Sequence, residues 1–301
     1  MELRQLRQAV MLAETLNFTR AAERLHMAQP PLSASIRKLE EELGIVLFDR
    51  LPSGVKLSST GEAVMREARL TLFHAEQVRR TAKEGSAGNV GTLRLGFTGA
   101  AAYELVPRLL RAFREQYPKV GADIYESHTS ELLRRIESQE LDVAIVAYPV
   151  LEKTPAELIL LHHEHLMVAV RADSPLAARD EVTLADIASE PLIIHSRTQA
   201  PDLHAIVLHA FRQAGVRPNV VQEAVQVSSM LGLVEGGLGL AFVSSVVLGH
   251  VSTQVKLLRL SGPGSKMNLG MALATLPGGL TPSARNFVQL AKGLMQPACA
   301  D

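Results

Sequence analysis

The apolar pattern of this chain changes its period at about residue 91, and no other feature constrains the fold as strongly. Before that point, apolar residues recur every three to four positions, as at Leu3, Leu6 and Val10, which is the spacing of amphipathic helices. After it, short apolar runs typical of β-strands alternate with helical segments as far as about residue 273. Such alternation predicts a parallel sheet with helices on its faces. The sequence therefore indicates a helical N-terminal domain followed by an α/β region.

The first domain, residues 1–58, is predicted to contain three helices followed by a hairpin. The third helix can begin at Pro30, because the first helical position has no intrahelical N–H bond to lose, and Gly44 ends it. Thr19 is positioned to cap the second helix. Turn residues 51–54, between two strand-like runs, predict the hairpin. A helix–turn–helix with a hairpin wing is a fold that inserts its second helix into the major groove of duplex DNA.

The two faces of the third helix differ in polarity. Its apolar residues recur at helical spacing and form one stripe, which we expect to be buried. The opposite face is polar, so it can hydrogen-bond base edges or neutralise phosphates. The predicted buried residues are Leu32, Ile36, Leu39 and Leu43, and the predicted outward residues are Gln29, Ser33, Ala34, Arg37 and Lys38.

Residues 59–88 form a predicted linker, most of it one long helix. Ser59 and Glu62 have the spacing of a capping box at its start, and a hinge is expected at residues 85–89. Small residues recur along the helix at heptad spacing, which favours pairing with a second copy of the chain. The alternative is a helix that lies on its own domain. The heptad positions are Val64, Ala68, Thr71, Ala75 and Val78.

Residues 89–301 show the strand–helix alternation twice, which predicts two α/β lobes like those of periplasmic binding proteins. The cleft between two such lobes can close on a small ligand. Helix N-termini at its wall favour an anion, so we expect a small carboxylate-bearing effector. The fold class is therefore α/β, with an N-terminal winged helix-turn-helix, a long linker helix and a two-lobed effector domain. The chain is expected to cross near 161–162 and 266–267, giving lobe I about 89–162 and 267–301, and lobe II about 163–266.

Composition excludes several classes of protein. The 31 Lys and Arg residues equal the 31 Asp and Glu residues, so no overall basic charge points to nucleic acid or to a membrane surface. Cys299 is the single cysteine, which excludes a disulfide framework and a cysteine-based zinc site. Charges among the first seven residues rule out the apolar stretch of a signal peptide, and no apolar run reaches the roughly 20 residues of a membrane span. We expect a cytoplasmic protein with no membrane partner.

Four other interpretations explain less of the chain. The cluster His162, His163 and His165 could suggest a metal, but hydrogen-bonding surface residues at a crossing between lobes explain it better. Gly236–Gly239 resembles a dinucleotide-binding loop but closes a helix, where that motif should open one. A solute-binding protein would need a signal peptide, and an enzyme would need a reactive group that the sequence does not show. We therefore predict no catalytic residue, no metal and no cofactor besides the effector.

Four blocks of sequence, residues 18–26, 29–33, 36–44 and 47–50, resemble the LysR-type transcriptional regulators in order and spacing. The resemblance covers the whole chain. It implies a homotetramer, formed as a dimer of dimers through the linker helix, that binds double-stranded promoter DNA and responds to a small molecule, with RNA polymerase as a further partner. It implies no enzymatic activity. By position, the residues that would face DNA are Thr19, Arg20, Gln29, Pro30, Ser33, Ser35, Arg37 and Arg50.

The sequence departs from that family at three positions of the DNA-binding domain. Ala28, Ala34 and Ser53 stand where the family commonly has a serine, a basic residue and an arginine, respectively. Each lost phosphate contact should lower the salt dependence of DNA binding by roughly one unit of slope.

The effector domain is most similar to regulators of aromatic degradation that respond to muconate and benzoate. Stretches 95–99, 166–170 and 227–234 carry this resemblance, and Thr129 matches a threonine that contacts effector in that group. Ala100 and His162 depart from it, replacing a serine and an arginine. An alternative for Arg197 is a surface residue paired with Asp202. The predicted effector-binding residues, taken from turns at the ends of strands, are Thr98, Gly99, Ala100, Thr129, Arg197, Gln199, Pro201 and Val227.

Overall fold

A computed structural model describes residues 1–51, 54–84 and 88–295. The chain forms two compact units, Met1–Lys83 and Glu84–Asp301. In the described residues, no helix is both long enough and apolar enough to span a membrane.

The N-terminal unit is a winged helix-turn-helix followed by a long helix. Apolar residues of the first three helices, the wing and the start of the long helix share one core, in which Leu12, Leu32, Ile36, Leu39 and Leu47 are fully buried. The two strands of the wing pair antiparallel, Phe48 opposite Leu57. The elements are α1 (Leu3–Thr15), α2 (Phe18–Arg24), α3 (Gln29–Leu43), β1 (Phe48–Leu51), β2 (Gly54–Leu57) and α4 (Ser59–Glu84).

Two helix caps differ from the sequence prediction by one or two residues. Asn17, not Thr19, caps α2, because its side-chain oxygen accepts the backbone N–H of Arg20 at 3.1 Å. Ser58, not Ser59, caps α4, since its hydroxyl oxygen accepts the N–H of Gly61 at 2.9 Å. A cap residue must lie outside the helix so that its side chain can reach the unpaired N–H groups of the first turn. Ser59 is already inside α4, so the predicted capping box is wrong.

The long helix α4 has two different surroundings. Near its start, Met65 and Ala68 are buried in the core of the N-terminal unit. Further along, Val78 is 72% exposed within this single chain. The first heptad positions therefore lie on the helix's own domain, as the alternative interpretation predicted, and a later one is left uncovered.

The C-terminal unit contains two mixed sheets, which we call lobe I and lobe II. The sheet of lobe I has the order β4-β3-β5-β13-β6 and that of lobe II the order β10-β9-β11-β7-β12-β8. Strands β3 to β13 are Gly91–Phe97, Val120–Glu126, Val143–Tyr148, Glu157–Glu164, Leu166–Arg171, Glu181–Thr183, Pro191–His195, Asn219–Ala224, Leu240–Ser244, Val255–Ser261 and Leu269–Thr275. Helices α5 to α10 are Leu105–Gln116, Thr129–Glu137, Leu184–Ile187, Pro201–Gln213, Val227–Glu235 and Pro282–Met295.

Each sheet contains both parallel and antiparallel strand pairs, and β12 also pairs parallel with β8 in lobe II. In lobe I, β3 pairs parallel with β4 and β5, whereas β13 pairs antiparallel with β5 and β6. In lobe II, β9 pairs parallel with β10 and β11, whereas β7 is antiparallel to β11 and β12. Both sheets are therefore mixed, because the strands next to the crossings between lobes form antiparallel pairs. These strands are β6, β7 and β13. The prediction of a wholly parallel sheet was wrong for them.

The first crossing between lobes lies later than predicted. Strand β6 stays in the sheet of lobe I as far as Glu164, and β7 enters lobe II at Leu166, so that only His165 connects them. The sequence analysis placed this crossing near residues 161–162. The second crossing precedes Leu269, where β13 begins, close to the predicted 266–267.

Gly88 lies against the start of α10. Its φ is +65°, and a Cβ there would lie 2.5 Å from the carbonyl carbon of Pro282. The Gly88 carbonyl accepts the side-chain N–H of Asn286 at 3.4 Å. Helix α10 packs on lobe I through residues such as Phe287, so the start of the domain is attached to that lobe.

Candidate functional site

The eight predicted DNA-facing residues differ in their exposure. Ser33 is only 8% exposed, because its side chain lies on the same side of α3 as Ile36, three residues later. Ser35 is half-buried and donates its hydroxyl to the side-chain oxygen of Gln8 at 2.5 Å. The side chain of Arg50 lies outside the described part of the structure. The exposed residues are Thr19, Arg20, Gln29, Pro30 and Arg37.

The structure therefore corrects the predicted outward face of α3 at Ser33. A side chain that is nearly buried in the domain's own core is not displayed on the surface of α3. Ser35 has an intramolecular partner on α1, so it positions the two helices relative to each other. Gln29, Arg37 and Lys38 remain on the exposed face.

Glu40, which the sequence analysis did not single out, ties α3 to the wing. Its carboxylate accepts the backbone N–H groups of Leu47 at 2.8 Å and Phe48 at 3.1 Å. The position of the wing is thereby fixed relative to the helix that carries Gln29 and Arg37. A glutamate on the third helix, four residues before its glycine cap, is the only sequence signal for this contact.

Between the two lobes of the C-terminal unit lies a cavity of about 80 Å³. It is lined by the turns after β3 and β4, the ends of β6 and β9, and the starts of α6, α8 and α9. Of the eight predicted effector residues, five line it, namely Thr98, Gly99, Ala100, Thr129 and Val227.

The other three predicted residues, Arg197, Gln199 and Pro201, are not in the lining. Arg197 and Gln199 are exposed, and the backbone N–H of Arg197 donates to Glu223 at 2.9 Å. Asp202 accepts the N–H of Leu151 at 3.2 Å, so the alternative pairing of Arg197 with Asp202 is not formed among the described residues. Ala200 and Leu203 line the cavity in place of the three predicted residues.

The lobe I wall of the cavity offers hydrogen-bond donors. The hydroxyl oxygen of Thr129 accepts the N–H of Ala147 at 3.3 Å, which leaves the hydroxyl proton free to donate. Helix α6 begins at Thr129. Nδ1 of His128 accepts the N–H of Glu131 at 3.4 Å, so the N–H groups of Thr129 and Ser130 are the ones at this helix start without an intrahelical partner.

The lobe II wall presents a second helix start to the cavity, that of α9 at Val227. Gln226 precedes this helix, and its amide oxygen lies 2.3 Å from where a Cβ on Gly99 would be. A strand end of lobe I and a helix start of lobe II therefore approach closely here, and a side chain at position 99 would require the Gln226 side chain to move.

Glu164 is a buried carboxylate in the cavity wall, at the end of β6. One of its oxygens accepts the hydroxyl of Ser244 from lobe II. Its other oxygen lies 3.0 Å from Nε2 of His162 but has no well-aligned hydrogen-bond donor. The carboxylate beside the ring raises the pKa of His162 above its usual value.

His195, at the end of β9, is also buried in this wall and is 4% exposed. Its Nδ1 has no hydrogen-bond partner among the described residues. Burial, together with repulsion from His204, lowers the pKa of His195 to about 4. The ring is therefore neutral near pH 7, with one N–H donor and one acceptor nitrogen. His195 was not among the residues predicted from sequence, although a polar residue closing the apolar run 191–194 was a usable signal.

The structure also describes the histidine cluster and the glycine-rich turn for which a metal site and a dinucleotide-binding loop were considered. In the described residues, no group of three or more His, Cys, Asp or Glu side chains is arranged to hold a metal ion. His163 and His165 are exposed, while His162 pairs with Glu164. Helix α9 ends at Glu235 and β11 begins at Leu240, so Gly236–Gly239 is the turn that was predicted.

A winged helix-turn-helix and a two-lobed domain with a cavity between its lobes define a DNA-binding transcription regulator with an effector-binding domain. Residues 3–62 match the family model for bacterial regulatory helix-turn-helix proteins of the lysR family, and residues 86–296 match the LysR substrate binding domain. The chain belongs to the LysR family of transcriptional regulators.

Individual relatives agree with this assignment. The regulator AlsR of Bacillus subtilis is 34% identical over 245 residues, 81% of each chain. BenM of Acinetobacter baylyi is 33% identical over 249 residues, 81% of this chain and 80% of BenM. The structure of CbnR with its target DNA has a TM-score of 0.80 and 24% identity, covers 97% of this chain and 99% of CbnR, and shows the same fold. These relatives are named as regulators, and the chain is a regulator rather than an enzyme.

Proposed function

We propose that the promoter activity of this regulator is controlled by a small carboxylate-bearing effector bound in the cavity between lobes I and II. The observation that carries the proposal is the convergence of two helix N-termini, those of α6 and α9, on one cavity. Their unpaired N–H groups and helix dipoles favour an anion, and the Thr129 hydroxyl can donate to it. The resemblance to regulators of aromatic degradation supports an organic acid of the kind found there.

The DNA-binding part of the proposal rests on the exposed face of the helix-turn-helix. Gln29 and Arg37 are exposed on α3, and Thr19, Arg20 and Pro30 surround them in sequence. Residues 1–91 carry 13 Lys and Arg against 11 Asp and Glu, a net charge of only +2. Since one such domain has little overall attraction for DNA, we propose that several act together in a dimer of dimers. The complex would act in the cytoplasm, at promoters where RNA polymerase binds.

A thermal-shift screen of aromatic and dicarboxylic acids tests the effector proposal. A ligand present at 100 times its dissociation constant should stabilise the protein by about 2.7 kcal/mol, which raises the melting temperature measurably. Amides of the same acids serve as size-matched controls without charge. If only the uncharged compounds raise the melting temperature, the anionic site is wrong, while the family assignment stands.

A further inference from the structure

One buried polar atom in the cavity wall, Nδ1 of His195, has no hydrogen-bond partner among the described residues. A second, the Glu164 oxygen that lies 3.0 Å from Nε2 of His162, has that ion-pair neighbour but no well-aligned donor. An unpaired buried group costs free energy, and the few in a native protein usually have a ligand, water or functional explanation. Both lie in residues that line the same cavity, and both are additional to the helix N-termini invoked above.

The charges of the cavity wall restrict which functional groups the effector can carry besides its carboxylate. Among the described residues, neither Lys nor Arg lines the cavity, whereas Glu164 does. One carboxylate is accommodated at the starts of α6 and α9. A second carboxylate would meet no fixed positive charge and would be repelled by Glu164. The wall therefore favours one negative charge on the ligand.

The polar groups of His195 and Glu164 restrict the second functional group of the ligand to one that can both donate and accept a hydrogen bond. Glu164 can only accept a hydrogen bond, while neutral His195 has one donor and one acceptor nitrogen. A hydroxyl fits this combination because it has a proton and lone pairs. A carbonyl oxygen cannot donate to Glu164, and an apolar ligand would leave both groups unpaired.

On the basis of the effector site proposed above, we propose that the effector is a hydroxylated monocarboxylic acid, whose hydroxyl pairs with His195. The carboxylate lies at the helix N-termini, and the hydroxyl lies at the wall that contains His195 and Glu164. His195 is then a specificity-determining residue of the effector site.

The test uses the full-length protein and two series of acids matched in size. The first is butyrate, 3-hydroxybutyrate and succinate, and the second is benzoate, 3-hydroxybenzoate and isophthalate. In the series that fits the cavity, calorimetry should show that the hydroxy acid binds about tenfold more tightly than the unsubstituted acid. One hydrogen bond to an otherwise unpaired group is worth that much. The dicarboxylate should bind most weakly.

Variants separate the role of His195 from a general effect on folding. His195→Phe keeps a flat ring but no ring nitrogen, so it should lose the preference for the hydroxy acid over the unsubstituted acid. His209→Phe, an exposed position outside the cavity lining, should keep the preference. Should His195→Phe fail to fold, Glu164→Gln gives an independent measurement, because removing that charge should strengthen dicarboxylate binding several-fold.

The outcomes also distinguish this inference from the proposal on which it rests. If the unsubstituted acids or dicarboxylates bind as tightly as the hydroxy acids, or if the preference survives in His195→Phe, the hydroxylated effector is wrong and the carboxylate site stands. If no acid of either series binds, both are overturned.

Discussion

At the scale of single residues, the buried His195 couples stability to pH. Its pKa in the folded protein is about 4, against 6.5 for an ordinary histidine. Between these values the unfolded chain takes up a proton that the folded protein does not, so the free energy of unfolding falls as the pH falls. The loss should reach about 2 kcal/mol between pH 7 and pH 5, as measured by urea unfolding. His195→Phe should reduce this loss, and His209→Phe should not. An equal loss in both variants would show that another group is responsible.

Arg37 should contribute to DNA affinity, and Gln29 to the choice of sequence. Both are exposed on α3. Arg37→Ala should weaken operator binding and, if it removes one phosphate contact, lower the slope of log affinity against log salt by about one. Gln29→Ala should instead change which bases are preferred. Footprinting over a range of salt concentrations measures both effects.

Lys119→Ala is the charge-matched control for Arg37→Ala, because Lys119 is exposed in the C-terminal unit. Its operator affinity should equal that of the wild type. If Arg37→Ala and Gln29→Ala bind the same sites with the same affinity as the wild type, α3 does not read the groove.

At the scale of elements, the cap of α4 can be tested with two adjacent serines. Ser58→Ala removes the acceptor for the Gly61 N–H and should destabilise the helix start by about 1 kcal/mol. Ser59→Ala should have a much smaller effect, because Ser59 is inside the helix. Urea unfolding of the two variants compares them directly. Equal destabilisation would contradict the assignment of Ser58 as the cap.

How well each element could be predicted from sequence depended on how completely it is buried. Strands β9 and β11 are continuous apolar runs that are buried along most of their length, and such runs are the pattern from which the sequence predicts strands. Strand β6 was missed because exposed residues and histidines interrupt its apolar pattern. In strand β12 only Val255 and Leu258 are buried, so its apolar pattern is interrupted in the same way.

The candidate site was predictable where it consists of strand ends followed by helix starts. Thr98, Thr129 and Val227 occupy such positions, and turn residues reveal them in the sequence. Glu164 and Ser244 were not predictable, because their contact depends on β6 and β11 coming together from different lobes. Ser33 was misplaced because helical spacing alone does not show how far the buried face of α3 extends.

At the scale of the whole molecule, the exposed part of α4 should take part in assembly. Val78 is an apolar heptad position that this chain leaves uncovered. Val78→Asp would introduce a charge into a paired seam, so we expect sedimentation to show smaller species than the wild type. Val90→Asp makes the same substitution at another exposed valine, outside α4, and should leave the assembly unchanged. If Val78→Asp sediments like the wild type, pairing does not use this face.

The attachment of Gly88 to α10 makes the two lobes unequal in what they can transmit along the polypeptide. A displacement of lobe I moves the backbone at residue 88 directly, since that backbone fits against Pro282 with no room for a side chain. Lobe II is joined to residue 88 only through lobe I, so a displacement of lobe II must first move lobe I. Lobe I therefore holds the start of this domain directly. A β-branched residue at 88 should loosen the attachment, because its Cβ would meet the backbone of Pro282.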